Sequence, residues 1–139
     1  MKQKFLKMKF NQHFLILKLA LIAIFVMHAI PGMVNGDVSK FGTLYLDQVG
    51  FAPLGLYLAW LVKLSHVGLC ISLVTGKYLK IMGWITISVL IVGIYMVHLP
   101  DGWYVVGGGR NGIEFNVLLI AVLLTLMYPE WQFFKTNQD

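Results

Sequence analysis

Lys63 and His66 stand inside a long apolar run, Phe51 to Thr75, with Lys63 near its middle. At the centre of a membrane-length helix a lysine costs about 2.5–3.5 kcal/mol on insertion scales, so it should face a bundle interior or a wet cavity rather than lipid. Ala59, Lys63, His66 and Cys70 follow one another at helical spacing and share one face. Such a stripe in a leucine-rich helix is either a packing seam or a wall facing a ligand. On the functional reading, Lys63 and His66 hydrogen-bond or exchange protons with the polar end of a lipid-soluble molecule, such as a quinone carbonyl. On the structural reading, both are satisfied by Tyr95, Ser88 or backbone carbonyls and hold helices in register.

A second set of reactive side chains falls at helix ends. His28 closes the first apolar run, His98 the third, Asp101 and Arg110 follow in the next loop, and Glu114 opens the last helix. Antiparallel helices would bring these ends together. A glutamate in a first turn is favoured by the helix dipole, and Arg110 is its expected ion-pair partner. The set reads as a salt-bridged cap or as a substrate mouth. It lacks metal-ligand spacing, so no metal is expected. Between its members, Gly107, Gly108 and Gly109 permit a tight turn and close backbone approach, but without a strand–helix pair they are no nucleotide signature.

The elements that must position these residues follow from composition. The chain has 139 residues, 58% hydrophobic and 12% charged, with mean hydropathy +0.76, which excludes an ordinary soluble domain. Its net charge of +5 is concentrated in Lys2, Lys4, Lys7 and Lys9, which suits anionic lipid headgroups; no basic face for nucleic acid exists. One cysteine, Cys70, excludes a disulfide framework, a redox pair and a thiolate cluster.

Crossing a hydrocarbon core takes about 20 apolar residues. Four stretches meet or approach that length, about 14–30, 51–75, 81–99 and 113–128, and the first is expected to be a retained helix rather than a cleaved leader. Breakers bound them: Pro31-Gly32, Pro53, Thr75-Gly76, Pro100-Asp101-Gly102 and Pro129. Lys77, Lys80 and Lys135 join the N-terminal lysines on one side, leaving Lys40 and Arg110 on the other. The positive-inside rule then places both termini in the cytoplasm and the two longer loops, Pro31 to Gly50 and Pro100 to Gly112, outside. Trp84, Trp103, Tyr104, Tyr128 and Trp131 near helix ends fit an interfacial belt. The expected architecture is all-α: one membrane domain, a four-helix transmembrane bundle with short loops, both termini inside.

The run His98-Leu99-Pro100-Asp101-Gly102-Trp103-Tyr104-Val105-Val106 with its three glycines, followed by Glu114-Phe115 and Leu118-Leu119-Ile120, resembles the signature of the DoxX/DoxD-like membrane family. The resemblance extends to the four-helix layout and to His28 at the end of the first helix. It implies a bacterial inner-membrane protein tied to respiratory or redox chemistry, with a quinone as the implied cofactor, since the family's namesake is a subunit linked to quinone reduction during thiosulfate oxidation. Two departures stand out. Arg110-Asn111-Gly112-Ile113 lengthens the gap before Glu114, and Lys63 and His66 stand in a helix where many members carry a glutamate, so no acid role transfers. Three classes of function stay open: a quinone- or redox-associated subunit, a non-catalytic scaffold subunit with homo- or hetero-oligomeric membrane partners, and a small transporter. An incomplete set of cofactor ligands keeps the scaffold class in play.

Overall fold

A computed structural model describes residues 14–129. Lys2, Lys4, Lys7, Lys9, His13, Trp131 and Lys135 lie outside the described residues. Among the described residues the regular structure is entirely helical: α1 (Leu15–Val34), the single turn α2 (Asp37–Lys40), α3 (Gly55–Thr75), α4 (Leu79–Gly93) and α5 (Glu114–Met127). Three stretches, Leu15–Val34, Gly55–Thr75 and Leu79–Asp101, are long and apolar enough to cross a membrane; Glu114–Met127 is apolar but shorter. The chain divides into two compact units, residues 14–82 and 83–129 of the described part.

In the first unit, α1 runs through Pro31 and ends at Val34 instead of stopping at Pro31-Gly32. Proline removes one intrahelical donor and strains the preceding turn. A lysine from α3 donates to a carbonyl of that turn, as described below. The helix stops where Asn35 donates its N–H to the Pro31 carbonyl at 3.0 Å and Gly36 turns to φ +82°. The Asn35 side chain then accepts the Asp37 N–H at 3.1 Å and starts α2.

The expected outer loop, Pro31 to Gly50, is thus helical through most of its length. After α2 the chain continues as a π-helical stretch, Phe41–Phe51, broken at Gly50 with φ +110°. This stretch packs on the start of α3 through two glycines. A Cβ at Gly42 would stand 2.6 Å from Leu56 Cα, and one at Gly55 would overlap the Gly42 carbonyl. Small residues let backbones approach where lipid supplies no hydrophobic drive between helices. Asp47 exploits the approach, its Oδ1 accepting the Gly55 N–H at 2.8 Å and satisfying an amide at the head of α3. At its other end α3 stops at Gly76, φ +72°, whose N–H donates to the Ser72 carbonyl at 2.8 Å.

In the second unit, α4 passes into a π-helical turn, Ile94–His98, and then a 3-10 turn, Leu99–Asp101. Gly83 on α4 receives the Met127 side chain of α5 where a Cβ would collide with the sulfur. Trp84 Nε1 donates to the Tyr128 hydroxyl at 3.1 Å beside that contact. These two contacts fix the Met127 end of α5 against the first turns of α4.

Candidate functional site

Helices α1 and α3 of the first unit pack antiparallel, and three contacts in register define their seam. Cys70 Sγ lies 3.9 Å from the Ile22 carbonyl. One turn on, the rings of Phe25 and His66 stand 4.9 Å apart, tilted by 54°. At the next step the Lys63 ammonium donates to the His28 carbonyl at 2.6 Å. The stripe Ala59, Lys63, His66 and Cys70 therefore faces α1, with Ala59 fully buried. The lysine stem passes beside Gly32, where a Cβ would meet Lys63 Cε at an ordinary contact distance of 3.7 Å.

The His28 carbonyl lies three residues before the proline, in the turn that precedes it, while the carbonyl whose helical donor Pro31 removes is that of Met27. The pairing with His28 meets the lysine's own need for a partner in an apolar segment. Lys63 thus takes the backbone-carbonyl solution that the structural reading of the sequence allowed.

His66 is different. Its side chain is 8% exposed, yet neither Nδ1 nor Nε2 has a hydrogen-bond partner. A neutral imidazole carries one donor and one acceptor, and buried polar atoms are nearly always paired with protein, water or ligand. The Phe25 ring covers one side of the imidazole. This is a pre-placed hydrogen-bonding group with an aromatic wall, next to a cation. The fully buried hydroxyl of Thr86 in the second unit also lacks a partner.

The helix-end residues divide between the units. His28 sits in the first, within α1 rather than at its terminus, and it contributes its carbonyl to the seam. In the second unit, His98 Nδ1 lies 2.7 Å from the Asn111 carbonyl, which as an acceptor makes that nitrogen the donor. Asn111 Nδ2 donates to Asp101 Oδ2 at 3.0 Å. His98, Asp101 and Asn111 therefore form one chain of hydrogen bonds. Asn111 holds φ +57°, a conformation asparagine tolerates better than most residues.

Glu114 does not pair with Arg110. Its Oε1 accepts the Val105 N–H at 2.8 Å, while Arg110 is exposed. The expected ion pair gives way because the folded loop offers the carboxylate a nearer amide. Among the described residues, the one ion pair is the exposed Lys40–Asp37 contact at 3.1 Å, worth little in water. No cluster of metal-ligating side chains occurs among the described residues.

Sequence reasoning passed over Phe25, Asp47 and Asn111. Phe25 carries no signal apart from its place in an apolar run. Asp47, an acid shortly before an apolar helix, did carry one. A comparison with protein-family models finds no match, nor do comparisons with curated proteins and with solved structures.

Proposed function

We propose that this chain is a DoxX-like, quinone-associated subunit of the bacterial inner membrane that binds the carbonyl end of a lipid-soluble quinone at the seam between α1 and α3. It crosses the membrane four times as a helical bundle, with both termini in the cytoplasm. The observation that carries the reading is the buried His66 ring with two unpartnered nitrogens. A quinone carbonyl accepts the imidazole N–H, the buried Phe25 ring holds the imidazole in place, and the Lys63 ammonium supplies positive potential for a carbonyl oxygen. The apolar helices suit a ligand that arrives through the bilayer rather than from water.

The test is purification in native lipid followed by organic extraction and absorbance spectroscopy. A stoichiometric quinone that is lost in His66→Phe, with the fold retained, supports the reading. Protein that carries no quinone and is not stabilised by added short-chain quinone overturns it.

A second reading, a non-catalytic scaffold subunit, draws on a specific contact: Lys63 is already engaged by His28, as a purely structural lysine would be. Native mass spectrometry of gently extracted membranes separates the two. A stoichiometric complex with a second membrane protein, without quinone, favours the scaffold; a free chain carrying quinone favours the binding role.

A further inference from the structure

Helix α5 has 14 residues, about 21 Å at 1.5 Å per residue, which is short of a hydrocarbon core of about 30 Å. Its Met127 end is fixed on α4 by the Gly83 contact and the Trp84–Tyr128 hydrogen bond. The missing length therefore falls at the Glu114 end. What stands there is segment 102–113, folded back over the head of the helix.

The segment turns its backbone inward. The N–H groups of Gly112, Ile113 and Glu114 donate to the carbonyls of Tyr104, Gly102 and Trp103, each at 3.1 Å. Val105 N–H is taken by the Glu114 carboxylate. Gly109 and Gly112 pass so close to the Trp103 and Tyr104 backbone that a Cβ at either would collide. Its apolar side chains turn outward, with Trp103 51%, Tyr104 60% and Val106 73% exposed. Irregular backbone is tolerated near lipid when its polar groups are met from within, and tryptophan and tyrosine concentrate at the headgroup level. Arg110 is exposed in the same segment, whereas Asp101 is held by Asn111 and Glu114 by Val105.

We propose that segment 102–112 is an interfacial wedge that completes the fourth span. Trp103, Tyr104 and Val106 sit at the headgroup–acyl boundary of the non-cytoplasmic leaflet, and Arg110 reaches the lipid phosphates. The occupant of this apolar surface is the phospholipid interface of the protein's own membrane: the helix shortfall requires lipid depth there, and the exposed Trp103, Tyr104 and Val106 are the residue types that enter it. The inference rests on the four-span reading given above.

Depth-dependent quenching tests it. Protein with Trp103 as its single tryptophan (Trp60→Phe, Trp84→Phe, Trp131→Phe) is placed in nanodiscs of phosphatidylcholine brominated either near the glycerol or near the acyl terminus. The expected result is a larger loss of Trp103 emission with the shallow bromines, and less quenching by aqueous iodide than for free tryptophanamide. Emission insensitive to both lipids, or lost more strongly with the deep bromines, overturns the wedge. Because Trp84→Phe removes the hydrogen bond to Tyr128, a second variant leaves that contact in place. Val106→Cys in a Cys70→Ser background carries a nitroxide, whose collisions with oxygen should exceed those with a water-soluble nickel chelate; the reverse order overturns the proposal. Impermeant maleimide labelling of Gly108→Cys and Pro129→Cys, each in the Cys70→Ser background, checks the underlying topology. Labelling from one and the same side means the four-span reading has failed; opposite sides with a water-exposed Trp103 means the wedge alone has failed.

Discussion

Lys63 and His66 are neighbours on one helical face, yet they stand in opposite states, one partnered and one not. That difference separates their substitutions. Removing the lysine in Lys63→Ala leaves the His28 carbonyl without its second-helix donor. The expected loss is about 0.6–1.7 kcal/mol, between the average and the largest values for interhelical hydrogen bonds in membrane proteins, read by reversible unfolding in mixed micelles. His66→Phe should act the other way in quinone-free detergent. It keeps the ring against Phe25 and removes two unpaired nitrogens whose burial costs about 1–3 kcal/mol, so the variant should unfold at a higher denaturant fraction than the wild type. Added quinone should then stabilise the wild type and leave His66→Phe unchanged. A variant less stable than wild type in quinone-free detergent would mean that the imidazole has protein partners.

Among the elements, the junction between the π-helical stretch and α3 brings two backbones into direct contact. Gly42→Ala forces a methyl group onto the Leu56 backbone, which is not the end of a flexible side chain and gives little. A destabilisation of about 1–3 kcal/mol is expected from such overpacking. Gly93→Ala is the matched control: it is helical at φ −61° and a Cβ there meets nothing within 4 Å, so it should stabilise by about 0.5–1 kcal/mol. Asp47→Ala removes the acceptor of the Gly55 amide and should cost about 1 kcal/mol, as loss of a helix cap does. Thermal denaturation in detergent, followed by circular dichroism, ranks the three.

For the whole molecule, the decisive quantity is where the charges lie. Lys77 and Lys80 flank the start of α4, on the side to which the positive-inside rule assigns the N-terminal lysines. Reporter fusions should show both termini cytoplasmic, with alkaline phosphatase inactive and a fluorescent protein bright at either end. Lys77→Glu with Lys80→Glu should leave a larger fraction of molecules with mixed orientation. An active phosphatase at the C-terminus together with a cytoplasmic N-terminus would mean an odd number of crossings and would overturn the four-span reading.

The sequence by itself determined the class of molecule, because apolar runs of membrane length admit few structures besides helices: every backbone polar group must be satisfied without water. It also placed Ala59, Lys63, His66 and Cys70 on one face, since helical periodicity is local. The stop of α3 at Gly76 was equally legible, as a glycine after an apolar run is the residue that adopts φ above zero at least cost. What sequence could not decide was partnership. Pro31 reads as a helix end, and only the tertiary structure shows α1 running through it, with Lys63 of α3 bonded to the His28 carbonyl in the turn before it. The segment after it reads as a loop, and only the tertiary structure shows it helical, with Gly42 and Gly55 letting it lie close against α3. Arg110 and Glu114 read as a pair by charge, but the carboxylate goes to Val105 because the loop folds onto the head of α5. Charge and periodicity are written along the chain, whereas the nearest hydrogen-bond partner is a property of three dimensions.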